Sequence, residues 1–472
     1  MSIHLVILLA YSAILIAIGL RIGRFVGTTG AFFVAGRRLG AGLLFSTVLA
    51  ANIGAGSTVG ATGLGYDMGL GAWWWNGSAG IGSLLLALWI GPRIWRVASR
   101  RNLLTVGDFL EYRYGRTVRG VVAVLIWFGT LSILAGQLIG LAWILNVVAG
   151  IPKPAGCVLG GALITTYFTA GGLAGAAWVN LLQLTVKLVG FAVALPLVLQ
   201  AAGGLSALLA SHAVGAGGTG FWAGNRSLAY LALLVPAFMV SPGLLQKVYG
   251  ARDERAVRVG IGVNAGALML FGFVPALMGM AAHQLHPALA NPELALPTLL
   301  VNNLPVWVGA LALAAVFSAE ISAADAVLFM LATSLSQDIY KRFLNPRASD
   351  RQVLGAARLA AVAGGVLGMV IAIWSPTIIG ALSLFYALLG VCLFVPVVAG
   401  LHARRAGAPE ALAAIAAGIA TDIVVRMATD GRGVGAASPE LVGLAAAAAA
   451  FGFVALAAVR RRRGPREAMP PS

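Results

Sequence analysis

Two side chains of opposite charge, Lys187 and Glu320, each lie within a long run of apolar residues. A charge at the centre of a bilayer costs at least about 2.5–3.5 kcal/mol, so each of these groups requires a partner or a function. Either group could bind and release a proton, or the two could form an ion pair that fixes the packing of two helices. Which of these holds depends on the elements that position them.

The composition of the chain indicates a membrane protein. Of its 472 residues, 60% are hydrophobic and 10% are charged, whereas soluble proteins carry about 25% charged residues. The apolar runs continue for about 20 residues without a period of two, which favours helices over a β-barrel. We therefore expect an all-α polytopic membrane protein with about 13 transmembrane helices. The predicted spans are 3–23, 41–64, 70–95, 118–147, 153–173, 175–202, 226–248, 257–284, 304–338, 355–374, 376–401, 408–427 and 440–460.

The chain has 32 Lys and Arg against 15 Asp and Glu, a net charge of +17, and most of the basic residues fall on one side of the predicted helices. This asymmetry follows the positive-inside rule and places the C-terminus in the cytoplasm. With an odd number of helices, the N-terminus lies outside. The basic run 460–463 is interpreted as a topology anchor. The expected partner of the positive charge is thus the lipid bilayer, and no nucleic acid is expected.

Two predicted spans carry helix-breaking residues at their centres. The second span contains AANIGAGST at 50–58, and the seventh contains PAFMVSPG at 236–243. Glycine and proline interrupt helices, and the half-helix ends then offer carbonyl and amide groups at the depth of the membrane centre. Because the two spans are five helices apart, they predict a transporter built from two inverted repeats.

Six stretches, taken together and in order, resemble the sodium:solute symporter family over about residues 1–401. They are GRRLG at 36–40, AANIGAGSTVGATGLGYDMGL at 50–70, TVGDFLEYRYG at 105–115, GGLAGAAWVNLLQ at 171–183, QKVYGARD at 246–253 and ISAADAVLFMLATSLSQDIY at 321–340. The resemblance implies a LeuT-like core of five plus five inverted helices, with one leading and two trailing helices. The implied divisions are a leading helix and loop 1–40, a first repeat 41–202, an outer loop 203–225, a second repeat 226–401, and two peripheral helices with a basic tail 402–472.

The resemblance also implies a sodium site between the broken first core helix and the eighth core helix. Carried over by position, its ligands are the carbonyl oxygens of Ala50, Ile53 and Ala319 and the hydroxyl of Ser322. Oxygen ligands suit a hard cation. This sequence departs from the family pattern at two positions, which stand here as Ala323, where a second hydroxyl is expected, and Asn180, where an Asp is common.

Three interpretations of the intramembrane charges follow, and the sequence leaves them open. Glu320 could supply the oxygen that Ala323 lacks, so that sodium still binds. Lys187 or Glu320, with Asn180 nearby, could instead couple transport to a proton, in which case the ammonium of Lys187 stands in for the cation. Finally, Lys187 and Glu320 could form a salt bridge with no role in coupling.

The resemblance places the solute beside the two helix breaks. The matching positions are Asn52, Ser57, Trp75, Asn76, Phe238 and Ser241. A sugar requires several hydrogen-bond donors and acceptors, and this set offers few. We therefore expect a small organic acid, an amino acid or a similar metabolite.

The leading prediction is a cation-coupled symporter of a small organic solute in a bacterial inner membrane. The coupling cation is sodium or a proton, no other cofactor is expected, and the residues show no enzyme motif. The alternatives are an uncoupled facilitator or channel and a transporter-like sensor. A sensor would require a signalling domain beyond the last helix.

Overall fold

The structure is a computed structural model that describes residues 3–23, 37–214, 220–403 and 406–463. Side chains are not described at 15–16, 18–23, 167, 170–181, 211–214 and 459–463. The helices in chain order are α1 Ile3–Gly23, α2 Ala41–Asn52, α3 Val59–Met68, α4 Trp73–Leu85, α5 Gly91–Arg101, α6 Val106–Tyr114, α7 Arg116–Ala149, α8 Lys153–Ala201, α9 Leu205–Val214, α10 Asn225–Val240, α11 Pro242–Tyr249, α12 Glu254–Phe271, α13 Phe273–Leu285, α14 Ala295–Asn302, α15 Val306–Thr333, α16 Asp350–Trp374, α17 Ile378–Leu389, α18 Val395–His402, α19 Ala408–Ala428 and α20 Pro439–Arg463.

The predicted all-α membrane architecture is confirmed. Ten helical segments among the described residues are long and apolar enough to cross a membrane, and two further apolar helices, Ile3–Ile14 and Ala41–Asn52, are shorter. The predicted number of about 13 is not confirmed. One reason is that the helix break divides the second predicted span, and its second half continues into the third as one helical segment, Ala55–Arg101.

The fifth and sixth predicted spans also differ from the structure, because both fall within the single helix α8. Its first residue, Lys153, hydrogen-bonds the carbonyl of Ser375, just before α17. Just beyond its last residue, the carbonyl of Ala202 accepts from Gln284 at the end of α13. The helix has 49 residues. At 1.5 Å per residue, a straight helix of 49 residues would measure about 73 Å, more than twice the thickness of the hydrocarbon core of a bilayer.

Both predicted helix breaks are present. After α2 ends at Asn52, Ile53 and Gly54 have extended backbone, a short 3₁₀ turn covers Ala55–Ser57, and α3 begins at Val59. The second break lies between α10 and α11, where Ser241 leaves the helical conformation (φ −52°, ψ 124°) and Pro242 begins the new helix. Proline at the first position of a helix loses no hydrogen bond, so it sets the restart of the chain at this point.

Helix α15 lies at the centre of the molecule, where it packs against α1, α2, α7, α8 and α16. Every residue from Leu313 to Ala324 is buried. Small residues such as Ala315 and Gly190, which face each other between α15 and α8, allow this close approach. The helix therefore presents its few polar side chains to the protein interior and not to lipid.

Candidate cation cage and solute site

The ammonium group of Lys187 lies at the first helix break. Its Nζ donates hydrogen bonds to the carbonyl oxygens of Ala50, at 2.8 Å, and of Ile53, at 3.1 Å. A third bond of 2.5 Å goes to Oγ of Ser322 on α15. We call these three oxygen atoms the oxygen cage. A protonated lysine has three N–H donors, so the cage offers one acceptor for each.

The break makes the two carbonyls available, because their helical partners bond elsewhere. In a continuous helix the Ala50 carbonyl would accept from the N–H of Gly54, but that group donates to Ser57 Oγ at 2.9 Å. The Ile53 carbonyl would accept from the N–H of Ser57, which bonds the Gly54 carbonyl at 3.0 Å. Unpaired carbonyls at the end of α2 carry the negative end of its dipole, which favours a cation.

Lys187 is 0% exposed, and the described ion pairs do not include it. Glu320 and Asp325 attract its charge from a longer range. A salt bridge between Lys187 and Glu320, one of the three interpretations that the sequence leaves open, is therefore not present among the described residues. The oxygens of the broken helix and of Ser322 solvate the ammonium instead.

Glu320 lies on the other side of the same break. Its Oε1 is 2.9 Å from Oγ1 of Thr58, and its Oε2 has no hydrogen-bond partner in the part of the chain that the structure describes. The side chain is 0% exposed and packs against Gly140, where a Cβ atom would lie 3.0 Å from Oε2. In this geometry Glu320 does not supply the oxygen that Ala323 lacks, because Lys187 already fills the cage.

The structure brings together three of the four predicted cation ligands around the ammonium. The fourth, the Ala319 carbonyl, lies 3.3 Å from Oγ of Ser322, and the carbonyl of Ala50 is the nearer acceptor of that hydroxyl, at 2.9 Å. Ala323 instead packs on the break, where a Cβ at Gly54 would approach its methyl to 2.4 Å. The side chain of Asn180 lies outside the described residues.

Beside the cage lies a cavity of about 40 Å³. Sites for drug-sized ligands measure about 300–1,000 Å³, so this conformation is closed around the cavity. Five of the predicted solute residues line it: Asn52, Ser57, Trp75, Asn76 and Phe238. Ser241 does not line it, because the second break lies further along the helix, at the start of α11.

Sequence reasoning missed two polar members of the cavity wall, Gln137 on α7 and Tyr386 on α17. Oε1 of Gln137 accepts a 2.8 Å hydrogen bond from the N–H of Ala55 in the broken segment. The ring of Tyr386 lies 5.4 Å from that of Phe238 and 6.1 Å from that of Trp75. An amide in the middle of the apolar run of α7 was the signal that could have identified Gln137.

The chain matches the Sodium:solute symporter family over residues 32–418. It belongs to this family. The family couples a small solute to Na⁺, so the chain is a multi-pass transporter of the symporter type, as predicted. The sodium/pantothenate symporter of Escherichia coli (strain K12) is 30% identical to it over 82% of each chain. The sodium/glucose cotransporter of Vibrio parahaemolyticus is 26% identical over 78% of this chain and 74% of that protein.

Two solved structures share the fold of this symporter. A Na⁺-coupled sialic acid symporter in a substrate-bound, outward-open state matches with a TM-score of 0.80 over 97% of this chain and 98% of the other, at 18% identity. The nucleobase-cation symporter Mhp1 matches in a closed conformation with a TM-score of 0.58 over 91% and 94%, at 14% identity. The predicted LeuT-like fold is therefore confirmed.

A sodium ion does not fit the cage of this symporter while Lys187 extends into it. A cation of that kind requires the same oxygen atoms at short distances, and the ammonium already lies 2.5–3.1 Å from them. The tethered charge and a free ion are thus mutually exclusive at this position.

On the face that carries Arg113, Arg116 and Lys341, a cluster of ion pairs joins three helical segments of the symporter. Arg119 on α7 pairs with Asp108 at 2.8 Å, with Glu111 at 2.8 Å and with Asp338 at 2.7 Å. These pairs join the short helix α6 to the π-helical end of the α15 segment, Ser334–Leu344. We call this side of the molecule the basic face.

On the opposite face, Glu293 joins three elements. Its Oε2 accepts from the indole N–H of Trp143 at 2.8 Å, and its Oε1 accepts from the N–H of Ile378, at the start of α17, at 2.6 Å. Burial raises the pKa of the Glu293 carboxyl, although the hydrogen bond from Trp143 opposes that shift. The 3₁₀ turn Pro292–Leu294, just before α14, is thereby held against α7 and α17.

Proposed function

We propose that this protein is a secondary active symporter in which the ammonium of Lys187 performs the function of the cation at the oxygen cage, so that solute transport is coupled to protons at this site. The observation that carries the proposal is the set of three hydrogen bonds from Nζ to Ala50, Ile53 and Ser322. The protein acts on this account as a transporter and not as an enzyme.

The protonated amine joins three elements that a transport cycle has to separate. Nζ on α8 holds the end of α2 and the middle of α15 at one point. Loss of the proton removes one donor and the charge, so one cage oxygen loses its bond and the dipole of α2 loses its counter-charge. Protonation therefore stabilises the closed arrangement, and deprotonation favours its opening.

The solute site supports a small organic solute. Among the described residues, its wall carries amide and hydroxyl groups from Asn52, Asn76 and Gln137 and from Tyr386, aromatic rings, and no charged side chain. The cavity has room for only a few waters, at about 10–15 Å³ for each, so it has to widen before an organic solute enters. Alternating access provides that widening.

The charge asymmetry supports an orientation for the chain in a bacterial inner membrane. The basic face lies in the cytoplasm and the N-terminus outside, as the positive-inside rule requires. The two repeats, 41–202 and 226–401, then each contain one broken helix at the matching position, and the cage and cavity lie at the first of the two breaks.

Uptake into proteoliposomes tests the proposed function. The solutes are radiolabelled pantothenate, proline, choline and glucose, for which relatives are named. Each is supplied under a proton gradient directed inward in sodium-free buffer, and separately under a sodium gradient directed inward at equal pH. We expect concentrative uptake of a solute under the pH gradient and its loss in Lys187→Gln. Lys153→Gln, at the distant end of α8, serves as the lysine control and retains uptake. Concentrative uptake that requires sodium and ignores the pH gradient would refute the proposal.

A further inference from the structure

An open pocket lies on the basic face, apart from the oxygen cage and the solute site. Its volume is about 510 Å³, within the range of about 300–1,000 Å³ that small-molecule sites occupy. Three of its wall residues, Arg101, Arg119 and Lys341, each lie within one helical turn of the end of a candidate membrane span. The pocket therefore lies where the membrane-spanning part of the chain ends, at the level of the lipid headgroups.

Each oxygen of the two carboxylates in the pocket wall already has a donor. Oδ1 of Asp108 pairs with Arg119 at 2.8 Å, and its Oδ2 accepts from two backbone N–H groups just before α6, at 2.8 and 3.1 Å. Oε2 of Glu111 pairs with Arg119 at 2.8 Å, and both oxygens of Glu111 also accept from Arg342. Carboxylates that are paired in this way do not offer a site to a free cation.

Two basic side chains of the wall are left without an ion pair. Lys341, on the π-helical end of the α15 segment, has neither a hydrogen bond nor an ion pair with another described residue. The guanidinium of Arg101, at the end of α5, lies 4.9 Å from the centre of the Tyr112 ring and makes no ion pair within the described part of the chain. The unpaired charges of the wall are thus positive, and both are hydrogen-bond donors, so the pocket is suited to an anion.

Exposed apolar side chains follow the basic ones on the same helical segment. Phe343 is 39% exposed and Leu344 is 73% exposed, directly after Lys341 and Arg342. An anionic phospholipid matches both features, because its phosphate group is a charged acceptor at headgroup level and its acyl chains lie against apolar side chains. Basic pockets between membrane helices bind such headgroups.

We propose that this pocket, which we call the headgroup pocket, binds the phosphate group of an anionic phospholipid from the leaflet at the basic face. Arg101 and Lys341 are its charged contacts. Because they belong to different elements, α5 and the end of the α15 segment, a phosphate that contacts both joins these elements beside the ion pairs of Arg119. The inference goes beyond the proposed function and does not depend on which ion drives transport.

The melting temperature of the purified full-length protein in detergent tests the headgroup pocket. The protein is titrated separately with phosphatidylglycerol, with zwitterionic phosphatidylcholine and with inorganic phosphate. We expect a saturable rise with phosphatidylglycerol that the other two do not produce. A basic residue near a membrane surface contributes about 1 kcal/mol, which corresponds to about fivefold in affinity. Arg101→Gln and Lys341→Gln should therefore each weaken the apparent affinity for phosphatidylglycerol about fivefold.

Arg358→Gln is the matched control, because Arg358 is an exposed arginine on α16 that does not line the pocket. It should bind phosphatidylglycerol as the wild type does. Since Arg101 and Lys341 make no described ion pair, their variants should melt close to the wild type in phosphatidylcholine, which separates weaker binding from misfolding.

Two results would overturn the inference. The first is an affinity for phosphatidylglycerol that is the same in the wild type and in both pocket variants, or is matched by phosphatidylcholine. The second is a saturable stabilisation by inorganic phosphate without one by phosphatidylglycerol, which would assign the pocket to a soluble phosphate compound instead of a lipid.

Discussion

Nζ of Lys187 lies 2.8 Å from the carbonyl oxygen of Ala50, at the point where α2 breaks within the membrane. In a helix that continued, this carbonyl would accept the N–H of Gly54. The break and the lysine therefore require each other. The break exposes hydrogen-bond acceptors in an apolar medium, and the lysine brings the donors that satisfy them.

Gly54 is expected to tolerate no side chain. A Cβ atom there would lie 2.4 Å from the Cβ of Ala323 and 2.6 Å from Oε1 of Gln137, so Gly54→Ala forces α15 and α7 away from the break. We expect loss of solute uptake and a lower melting temperature of the purified protein.

The matched control for that substitution is Gly266→Ala on α12, where a Cβ would meet nothing within 4 Å. Alanine favours a helix over glycine by roughly 0.8–1.0 kcal/mol. We therefore expect an unchanged or slightly raised melting temperature and normal uptake. Equal behaviour of the two variants would refute the close packing at Gly54.

Gln137 is expected to stabilise the broken segment. Its Oε1 accepts from the N–H of Ala55, so Gln137→Leu leaves a buried donor without a partner, at a cost of about 1–3 kcal/mol. Thermal unfolding in detergent should show a lower midpoint for this variant. Gln137→Glu keeps an acceptor oxygen, so its midpoint should fall between those of the wild type and Gln137→Leu. A Gln137→Leu variant as stable as the wild type would contradict the hydrogen bond from Ala55.

Glu111 on the basic face should make stability depend on pH in the acid range. Burial opposes its ionisation, but hydrogen bonds from Arg342 and Arg119 outweigh burial and hold the pKa of the carboxyl below its ordinary value of 4.5. Its contribution to folding is therefore complete above about pH 4.5 and is lost as the pH falls through the lowered pKa. The melting temperature of Glu111→Gln, measured against pH, should not show this loss at low pH. A decrease in melting temperature at low pH identical to that of the wild type would contradict the prediction.

Glu293 should make stability depend on pH in the opposite direction. Because burial raises the pKa of this carboxyl above its ordinary value of 4.5, the folded protein binds its proton more tightly than the unfolded chain does. Stability is then lost as the pH rises from about 4.5 through the raised pKa. Replacing Glu293 with Gln should remove that loss in the same melting experiment. A wild type whose melting temperature rises across this window more steeply than that of the variant would count against it.

Much of this arrangement could be predicted from the sequence. The two helix breaks follow from glycine and proline at the centre of apolar runs, and the structure has both of them. The residues of the cage followed from family resemblance, and Lys187 and Glu320 were found because a charge in an apolar run is costly.

Other features depend on three-dimensional packing that a linear pattern does not contain. Which charge enters the cage is decided by the reach of Lys187 from α8, whereas Glu320 faces Thr58 on the far side of the break. Gln137 was missed because its function depends on Ala55, a contact between distant segments. The helix that includes both the fifth and the sixth predicted spans could not be recognised from hydropathy alone.

The occupancy of the oxygen cage can be measured directly from the sodium dependence of thermal stability. An ion that binds only the folded protein stabilises it by about 2.7 kcal/mol at 100 times its Kd. With Lys187 in the cage, the wild type should melt at the same temperature in sodium chloride and in potassium chloride. Lys187→Ala, which frees the oxygens of Ala50, Ile53 and Ser322, should gain a saturable stabilisation by sodium. Sodium-specific stabilisation of the wild type that disappears in Lys187→Ala would contradict the account.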